Sequence, residues 1–434
     1  MWSKRLWFQL FICFVFQLIG TCLYGQAKKP VYFLDIVQID SSNSKPNIQT
    51  SFSTKKDLTT YLFKLKDDLV GKGYVAASID SVWETSDTTR IWLFVGEKYV
   101  WKRIKVDASD SLLLTGLGYD VVGLQNINTG SVNKLQDSIL NYYNNMGFPF
   151  ASVKMDSVEI DKNEITGKLV VNKAGLYTID SIIQNGNAKL TQNFLHRYLE
   201  IGPHEPYNAQ KLGTVSQKLQ NLPYVNQSQP WNLKMTNTGA MLDLYLEPKQ
   251  VNQIDAVIGF LPANGDLGGK LLLTGQVNLD LKNAFAAGEE LKFSWQQLQS
   301  RSPRINLGFA RPYIFNSPYG IDFDFELYKR DSLFLNVYAN LGVQYAISSQ
   351  QSAGVFVRFA STRALNVDTA TIIATKALPN IMDVSTASIG LQYQINTTNY
   401  RLNPRRGNEF FFSGMAGNRT IGKNNSITQI HSDD

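Results

Sequence analysis

The sequence predicts tandem α+β modules followed by an antiparallel β-barrel that crosses a membrane, and three observations predict it. From Gly269 onward, apolar and polar residues alternate in repeated stretches, many about ten residues long, a length that suits a tilted membrane-spanning strand. Residues 31 to 250 instead carry amphipathic helices followed by paired strands, and the stretch Gly73-Tyr-Val-Ala-Ala-Ser-Ile79 returns as Gly147-Phe-Pro-Phe-Ala-Ser-Val153. Ahead of both lies a short apolar run behind two basic residues.

That run, residues 1 to 27, reads as an export signal. Lys4 and Arg5 form the charged start, and Leu6 to Gly20 form an apolar core too short for a comfortable transmembrane helix. Gly25-Gln-Ala27 offers small residues for cleavage near Ala27; a lipoprotein reading at Cys22 is the lesser one, because Thr21 is a poor residue before a lipidated cysteine. Cys13 and Cys22, the two cysteines of the chain, leave with the signal, so no disulfide or cysteine-held metal is expected afterwards.

Loss of Lys4 and Arg5 takes the net charge from +6 to +4, that is 40 basic against 36 acidic side chains. No dense Lys/Arg run with interleaved aromatics occurs, which argues against nucleic acid as a partner. With no long apolar run after the signal, a helical membrane protein is excluded. A barrel is not, since alternation hides its apolar face from averaged hydropathy.

The modules follow. In the first, Leu58, Tyr61, Leu62, Leu65 and Leu69 form a helical stripe, with Thr54 and Asp57 placed as a capping box. In the second, Leu135, Ile139, Tyr142, Tyr143 and Met146 do the same. Gly73 and Gly147 sit where a left-handed helix end is wanted, with Tyr74 and Phe148 as aromatic corners. Strand pairs come next, Tyr74 to Val82 with Arg90 to Val95, and Ala151 to Ile160 with Glu164 to Asn172. A looser third copy runs from Ile179 through helices at Thr191 to Leu199 and Ala209 to Leu222, with Gly202 and Tyr207 between them, and closes on a strand from Met241 to Glu247. The expected order in each is β-α-α-β-β, with divisions at 1–27, 28–98, 99–176, 177–250 and 251–434. Such modules can also be mere spacers.

The alternating half counts roughly nine strands, beginning with Ile254 to Phe260. Turn signals separate them, among them Ala287-Gly288, Asn316 to Gly320 and Asn403-Pro404 to Gly407. A soluble sandwich shares this alternation; long strands, short turns and aromatic-rich faces favour the barrel.

Catalysis finds little support. None of the three histidines, His196, His204 and His431, lies on a barrel strand beside a serine, and His196 and His204 read as solvated or capping residues. Gly116-Leu-Gly118 lacks the third glycine of a dinucleotide loop. No enzyme, cofactor or metal is expected. Arg401, Arg405 and Arg406 read as a solvated turn, or as neighbours of acidic lipid headgroups or a partner.

Taken in order, the signal, the repeated helix-Gly-aromatic modules and the alternating strands resemble the BamA/TamA-type outer-membrane assembly superfamily, also called the bacterial surface antigen superfamily. Gly73 to Ile79, Gly147 to Val153, Gly202 with Tyr207, Leu219 to Val225 and Asn399 to Gly407 leading into Phe410 to Phe412 carry the likeness. The resemblance implies periplasmic POTRA modules ahead of a sixteen-stranded barrel in the outer membrane of a Gram-negative cell. It implies a protein-insertion role, with unfolded outer-membrane protein clients, periplasmic or outer-membrane accessory proteins and outer-membrane lipid as partners. The first barrel strand would serve as a lateral gate, here Ile254, Ala256, Ile258, Gly259 and Phe260. Gly259 fits a weakened pairing or an ordinary bend equally. The sequence departs from the family at its end, at Ile430 to Asp434, without a terminal aromatic strand or the later Arg-Gly-Phe/Tyr motif. The expectation is therefore a barrel incomplete in this chain, with a closed barrel of eight or ten strands as the alternative. A passive pore or a dedicated secretion channel with docking modules is the alternative function.

Overall fold

The computed structural model describes residues 32–41, 45–120, 124–237, 239–261, 272–299, 301–377, 382–398 and 404–430. The signal segment and Asn403 lie outside the described residues. The chain forms two compact units, residues as far as Tyr142 with Ala151–Ala174, and Tyr143–Phe150 with Gly175 onward.

The first unit holds two small sheets. In module one, β1 (Tyr32–Gln38), β2 (Ser51–Phe52), β3 (Ser78–Glu84) and β4 (Thr88–Phe94) stand in the order β2-β1-β4-β3, with β1 and β4 parallel. α1 (Lys55–Gly71) packs Leu58, Leu65 and Leu69 onto Leu34, Ile91 and Leu93. The Thr54 cap holds: its hydroxyl accepts the Asp57 N–H at 3.1 Å and donates to the Asp57 carboxylate at 2.7 Å. Among the described residues this module has one helix rather than two; the chain before α1 is extended and pairs Phe52 with Tyr32.

Module two keeps the expected order. β5 (Val100–Lys105), α2 (Ala108–Gly116), α3 (Thr129–Asn145), β6 (Ser152–Asp161) and β7 (Glu164–Asn172) form a sheet β5-β7-β6 with β5 parallel to β7.

The repeated glycines explain themselves. After α1 the Tyr74 N–H reaches back to the Leu69 carbonyl and Gly73 takes φ +105°; after α3 Phe148 reaches Tyr143 and Gly147 takes φ +99°. Each glycine carbonyl then accepts an N–H from the strand entering the next stretch, Tyr99 in one case and Tyr177 in the other, both at 2.8 Å. At Gly73 the approach is too close for a side chain, since a Cβ would lie 2.4 Å from the Tyr99 carbonyl oxygen; at Gly147 a Cβ would lie 2.4 Å from the Leu176 Cδ1 methyl, which would have to turn aside.

The second unit contains module three and the large sheet. β8 (Thr178–Asn185), α4 (Gln192–Leu199), β9 (Glu205–Pro206), α5 (Ala209–Gly213), α6 (Val215–Gln220), β10 (Val225–Met235) and β11 (Gly239–Pro248) build a sheet β10-β11-β8-β9 over an apolar core centred on Leu195, Leu199, Val215, Leu242 and Leu244. Two details correct the sequence reading. The helix expected over Ala209 to Leu222 breaks at Thr214, and β10 was not foreseen, being polar along most of its length and carrying Pro230.

Nine antiparallel strands follow, paired in chain order: β12 (Gln253–Leu261), β13 (Leu272–Lys282), β14 (Glu290–Gln297), β15 (Arg304–Arg311), β16 (Tyr319–Arg330), β17 (Phe334–Ser348), β18 (Gln351–Ala364), β19 (Asp383–Asn396) and β20 (Glu409–Gly422). Among the described residues these nine strands make up the sheet, with β12 and β20 at its two edges. Among the described residues no helix is long and apolar enough to cross a membrane.

Replacing Gly147 by valine is expected to destabilise its corner by about 1–3 kcal/mol through a left-handed backbone and an overpacked contact. Hydrogen exchange of α3 in urea measures it. Gly116→Ala, with open space around it, should change little.

Candidate functional site

Cross-strand register sorts the large sheet into two chemically distinct faces. On one, Leu281, Leu291, Phe309, Phe323, Leu341, Val357 and Ile389 stand side by side across β13 to β19. On the other, the neighbouring row reads Asp280, Lys292, Gly308, Asp324, Asn340, Arg358 and Ser388. The apolar side chains are the bare ones: Leu341 is 51% exposed, Val357 57% and Ile389 65%, whereas Asn340 is 7% and Ser388 8%. A water-soluble sheet has the opposite arrangement.

The polar face is internally bonded. Arg304 donates to Glu326 at 2.6 and 3.0 Å, Gln344 to Asp322 at 2.9 Å, and Ser294 to Asn278 at 2.8 Å. The Arg358 guanidinium lies 4.9 Å from the Phe356 ring centre, over an aromatic that is itself buried.

The apolar face has a measurable height. Along β17 it runs from Val337 to Ile347, which at roughly 3.3 Å per residue is about 33 Å of strand, or about 25 Å for a strand tilted by some 40°. That matches the apolar band of an outer-membrane barrel. Near the module-side turns the band ends in a row of four aromatics interrupted by one alanine, Tyr319, Tyr345, Ala353, Tyr393 and Phe412, with the Tyr319 and Tyr345 rings 5.3 Å apart.

The expected gate strand continues this pattern. Ile254, Ala256, Ile258 and Phe260 face the apolar rows opposite Leu279, Val277, Gly275 and Leu273. Gly259 sits on the polar parity opposite Thr274, and register runs unbroken from Gln253 to Leu261, so the glycine makes no bulge against β13. Among the described residues β12 pairs on one side only.

Module three is docked on the turns at one end of the sheet. Thr191 caps α4 by accepting the Phe194 N–H at 3.3 Å, while its own N–H donates to the Ala286 carbonyl at 2.7 Å. Phe194, 3% exposed, stacks on Tyr198 at 5.3 Å and meets the Tyr313 ring edge-on at 5.8 Å. Gly288 makes room for it, since a Cβ there would lie 2.2 Å from the Phe194 ring, and its φ of +77° suits glycine. The turn is shaped from within by buried Glu289, whose carboxylate accepts the N–H groups of Phe285 and Ala287. Asn193 donates to the Tyr313 carbonyl, Asn283 to Lys189, and Arg197 to Asn316.

A charged latch completes the dock. α4 ends at Glu200 in the left-handed conformation, and this carboxylate accepts the Ser349 N–H at 2.6 Å and faces Lys218 at 3.3 Å. Burial holds the Lys218 ammonium below its ordinary pKa, with Glu200 working against that shift. Burial pushes the Tyr313 hydroxyl up to about 12 and Tyr224 further up. A cavity of about 520 Å³ lies beside these rings, lined also by Glu290, Gln394 and Glu409.

The remaining expected residues fall as follows. Gly202 is not a helix terminus; Glu200 takes the left-handed position instead, and Gly202 backs onto Glu205. The Tyr207 N–H donates to Tyr177 at 2.9 Å. Where module three lacks the glycine corner, the Tyr224 carbonyl accepts the Lys249 N–H at 3.0 Å, the same joint by other residues. Gly407, at φ +98°, turns the chain near Pro404 so that the Thr397 N–H donates to the Asn408 carbonyl and the Asn408 N–H donates to the Thr397 hydroxyl, both at 2.9 Å. His196 holds the Ile201 carbonyl at 2.8 Å, and His204 is an exposed residue 3.6 Å from Asp180. Phe194, Gly288, Glu200 and Tyr313 were not singled out from sequence; only Ala287-Gly288 was marked, as a turn.

No family model and no curated protein matches this chain. Solved structures do. The chain is similar to BamA and CdiB. The crystal structure of BamA from Haemophilus ducreyi lacking POTRA domains 1-3 shares 14% identity at a TM-score of 0.42, over 74% of this chain and 63% of that one. CdiB from Acinetobacter baumannii shares 13% at 0.42, over 84% and 69%. BamA POTRA3-5 from Haemophilus influenzae shares 14% at 0.36, over 52% and 100%. The chain thus spans under two thirds of the length of the first of these.

Phe194→Ala is expected to weaken the dock by about 3–5 kcal/mol, read as faster hydrogen exchange in α4 and the 283–289 turn. Phe63→Ala, at an 82% exposed position, should leave both unchanged within about 0.5 kcal/mol.

Proposed function

We propose that this chain belongs to the BamA/TamA-type superfamily and works in the bacterial outer membrane, with its modules in the periplasm, to insert or translocate outer-membrane proteins. The observation that carries the reading is the bare apolar face of the large sheet, which Ile254, Ala256, Ile258 and Phe260 continue onto its first strand, β12. In hydrocarbon an unpaired strand edge costs several kcal/mol per orphaned backbone group, so such an edge binds another strand strongly and with little demand on its sequence.

In this mechanism an unfolded client is first held on module edges. β3 ends one sheet with Val82 and Trp83 half exposed, and β6 ends another with Val158 and Ile160 exposed. Main-chain hydrogen bonds supply the affinity, and the apolar side chains add to it. The client strand then passes to β12, which templates it when its outer edge opens, with Ile254, Ala256, Ile258 and Phe260 setting the apolar parity toward lipid. Gly73, Gly147 and the Tyr224 joint link the modules in sequence, along divisions near 98, 176 and 250. No step is covalent. Clients and accessory proteins are the partners this reading requires.

The bonded polar face favours a second reading, a pore or dedicated secretion channel whose aqueous path runs past Arg304, Glu326 and Arg358.

A photo-crosslinking residue at Ile258 is expected to capture unfolded outer-membrane protein in membranes, and one at Val357, in the middle of the sheet, is not. Equal capture at both positions contradicts the gate. Ion conductance without any capture would select the pore.

A further inference from the structure

Beside the dock lies a second cleft, of about 660 Å³, whose two walls differ in kind. One is charged and belongs to module three, with His196, Arg197, Glu205 and Lys211. The other includes Tyr345 and Ile347, the last outward residues of β17, 43% and 51% exposed. The cleft therefore sits where the apolar band stops and the charged module begins.

Its formal charges balance, Arg197 and Lys211 against Glu200 and Glu205, but both carboxylates are engaged by lysines. Lys211 is matched by Glu205 at 2.8 Å and Lys218 by Glu200 at 3.3 Å. Arg197 donates to a neutral carbonyl, that of Asn316, and forms no ion pair among the described residues. A guanidinium left without a direct ion pair because both neighbouring carboxylates are held by lysines, next to aliphatic surface continuous with the lipid-facing rows, complements a phosphate that is covalently tied to a hydrocarbon chain.

We propose that this cleft seats one phospholipid of the adjoining leaflet, its phosphate on Arg197 and an acyl chain along Tyr345 and Ile347. The proposal rests on the membrane reading above. A lipid held here would fasten module three to the bilayer surface as well as to the turns, fixing the height at which the third module delivers a client to β12.

The test is native mass spectrometry of the full chain in detergent micelles after delipidation, titrated with phosphatidylglycerol, diacylglycerol or inorganic phosphate. One phosphatidylglycerol per chain is expected to persist, with diacylglycerol and inorganic phosphate each at least about ten-fold weaker. Arg197→Gln should weaken it about ten-fold, with partial recovery in Arg197→Lys. Ile347→Ser, which leaves the Asn316 bond intact, should weaken it as well. Micelle-embedded protein that retains no phospholipid, or retains it equally in Arg197→Gln and Ile347→Ser, overturns the site while leaving the membrane wall standing. Equal affinity for inorganic phosphate reassigns the cleft to a free anion, and displacement of the lipid by an unfolded client peptide reassigns it to protein; either overturns the proposal. A chain that does not enter micelles overturns the wall and the site together.

Discussion

Hydrocarbon offers no hydrogen bonds, so any backbone that enters it must bring its own partners, and the large sheet is arranged around that constraint. Its eight pairings are all antiparallel and run nearly without irregularity; the breaks in register are confined to the Ala346/Ser348 position at a turn. Because register is strict, side-chain parity is strict too. One row slipped by a single residue would carry Asp324 and Arg358 onto the bare face and Leu341 off it. Bonding and amphipathicity are therefore two consequences of the same ladder.

The same economy governs the way the modules are strung. Each ends on a carbonyl that captures the N–H of the strand leading onward: Gly73 with Tyr99, Gly147 with Tyr177, Tyr224 with Lys249. Two of these joints favour glycine: both take a left-handed backbone, and at Gly73 the Tyr99 carbonyl oxygen would lie 2.4 Å from a Cβ. The third has no glycine and is instead buttressed by the ring cluster of Phe194, Tyr198, Tyr224 and Tyr313. At that joint Glu200 links the end of α4 to the Ser349 turn, so helix geometry and sheet geometry are set by one carboxylate. The cleft carrying Arg197 opens beside this latch, so the site proposed for lipid is built from the same few residues that hold the dock.

What the sequence disclosed, it disclosed through periodicity. The alternation in Leu273, Val277, Leu279 and Leu281 placed β13 and its face, and the Gly73/Gly147 repeat placed two joints together with their helices. Elements whose stability comes from distant partners were harder to see. β10 is polar and holds Pro230, and it persists because β11 pairs with it. The break at Thr214 and the single helix of module one have no compositional signature. Phe194 reads as one apolar residue on a short helix. Its role depends on Gly288, ninety-odd residues away, and no local pattern joins them. At the end of α4 the left-handed position falls to Glu200 rather than to a glycine, and its carboxylate is held there by Ser349 and Lys218.

The central claim is that odd-numbered residues along β17 face lipid and even-numbered ones face water. A spin label walked from Leu335 to Ile347 in vesicle-reconstituted protein tests it directly, through collision with oxygen, which concentrates in hydrocarbon, and with a water-soluble nickel complex. The account predicts a two-residue period, with oxygen favoured at Val337, Ala339, Leu341 and Val343 and nickel favoured at Asn336, Tyr338, Asn340 and Gly342. Nickel access at both parities along the whole strand would contradict it.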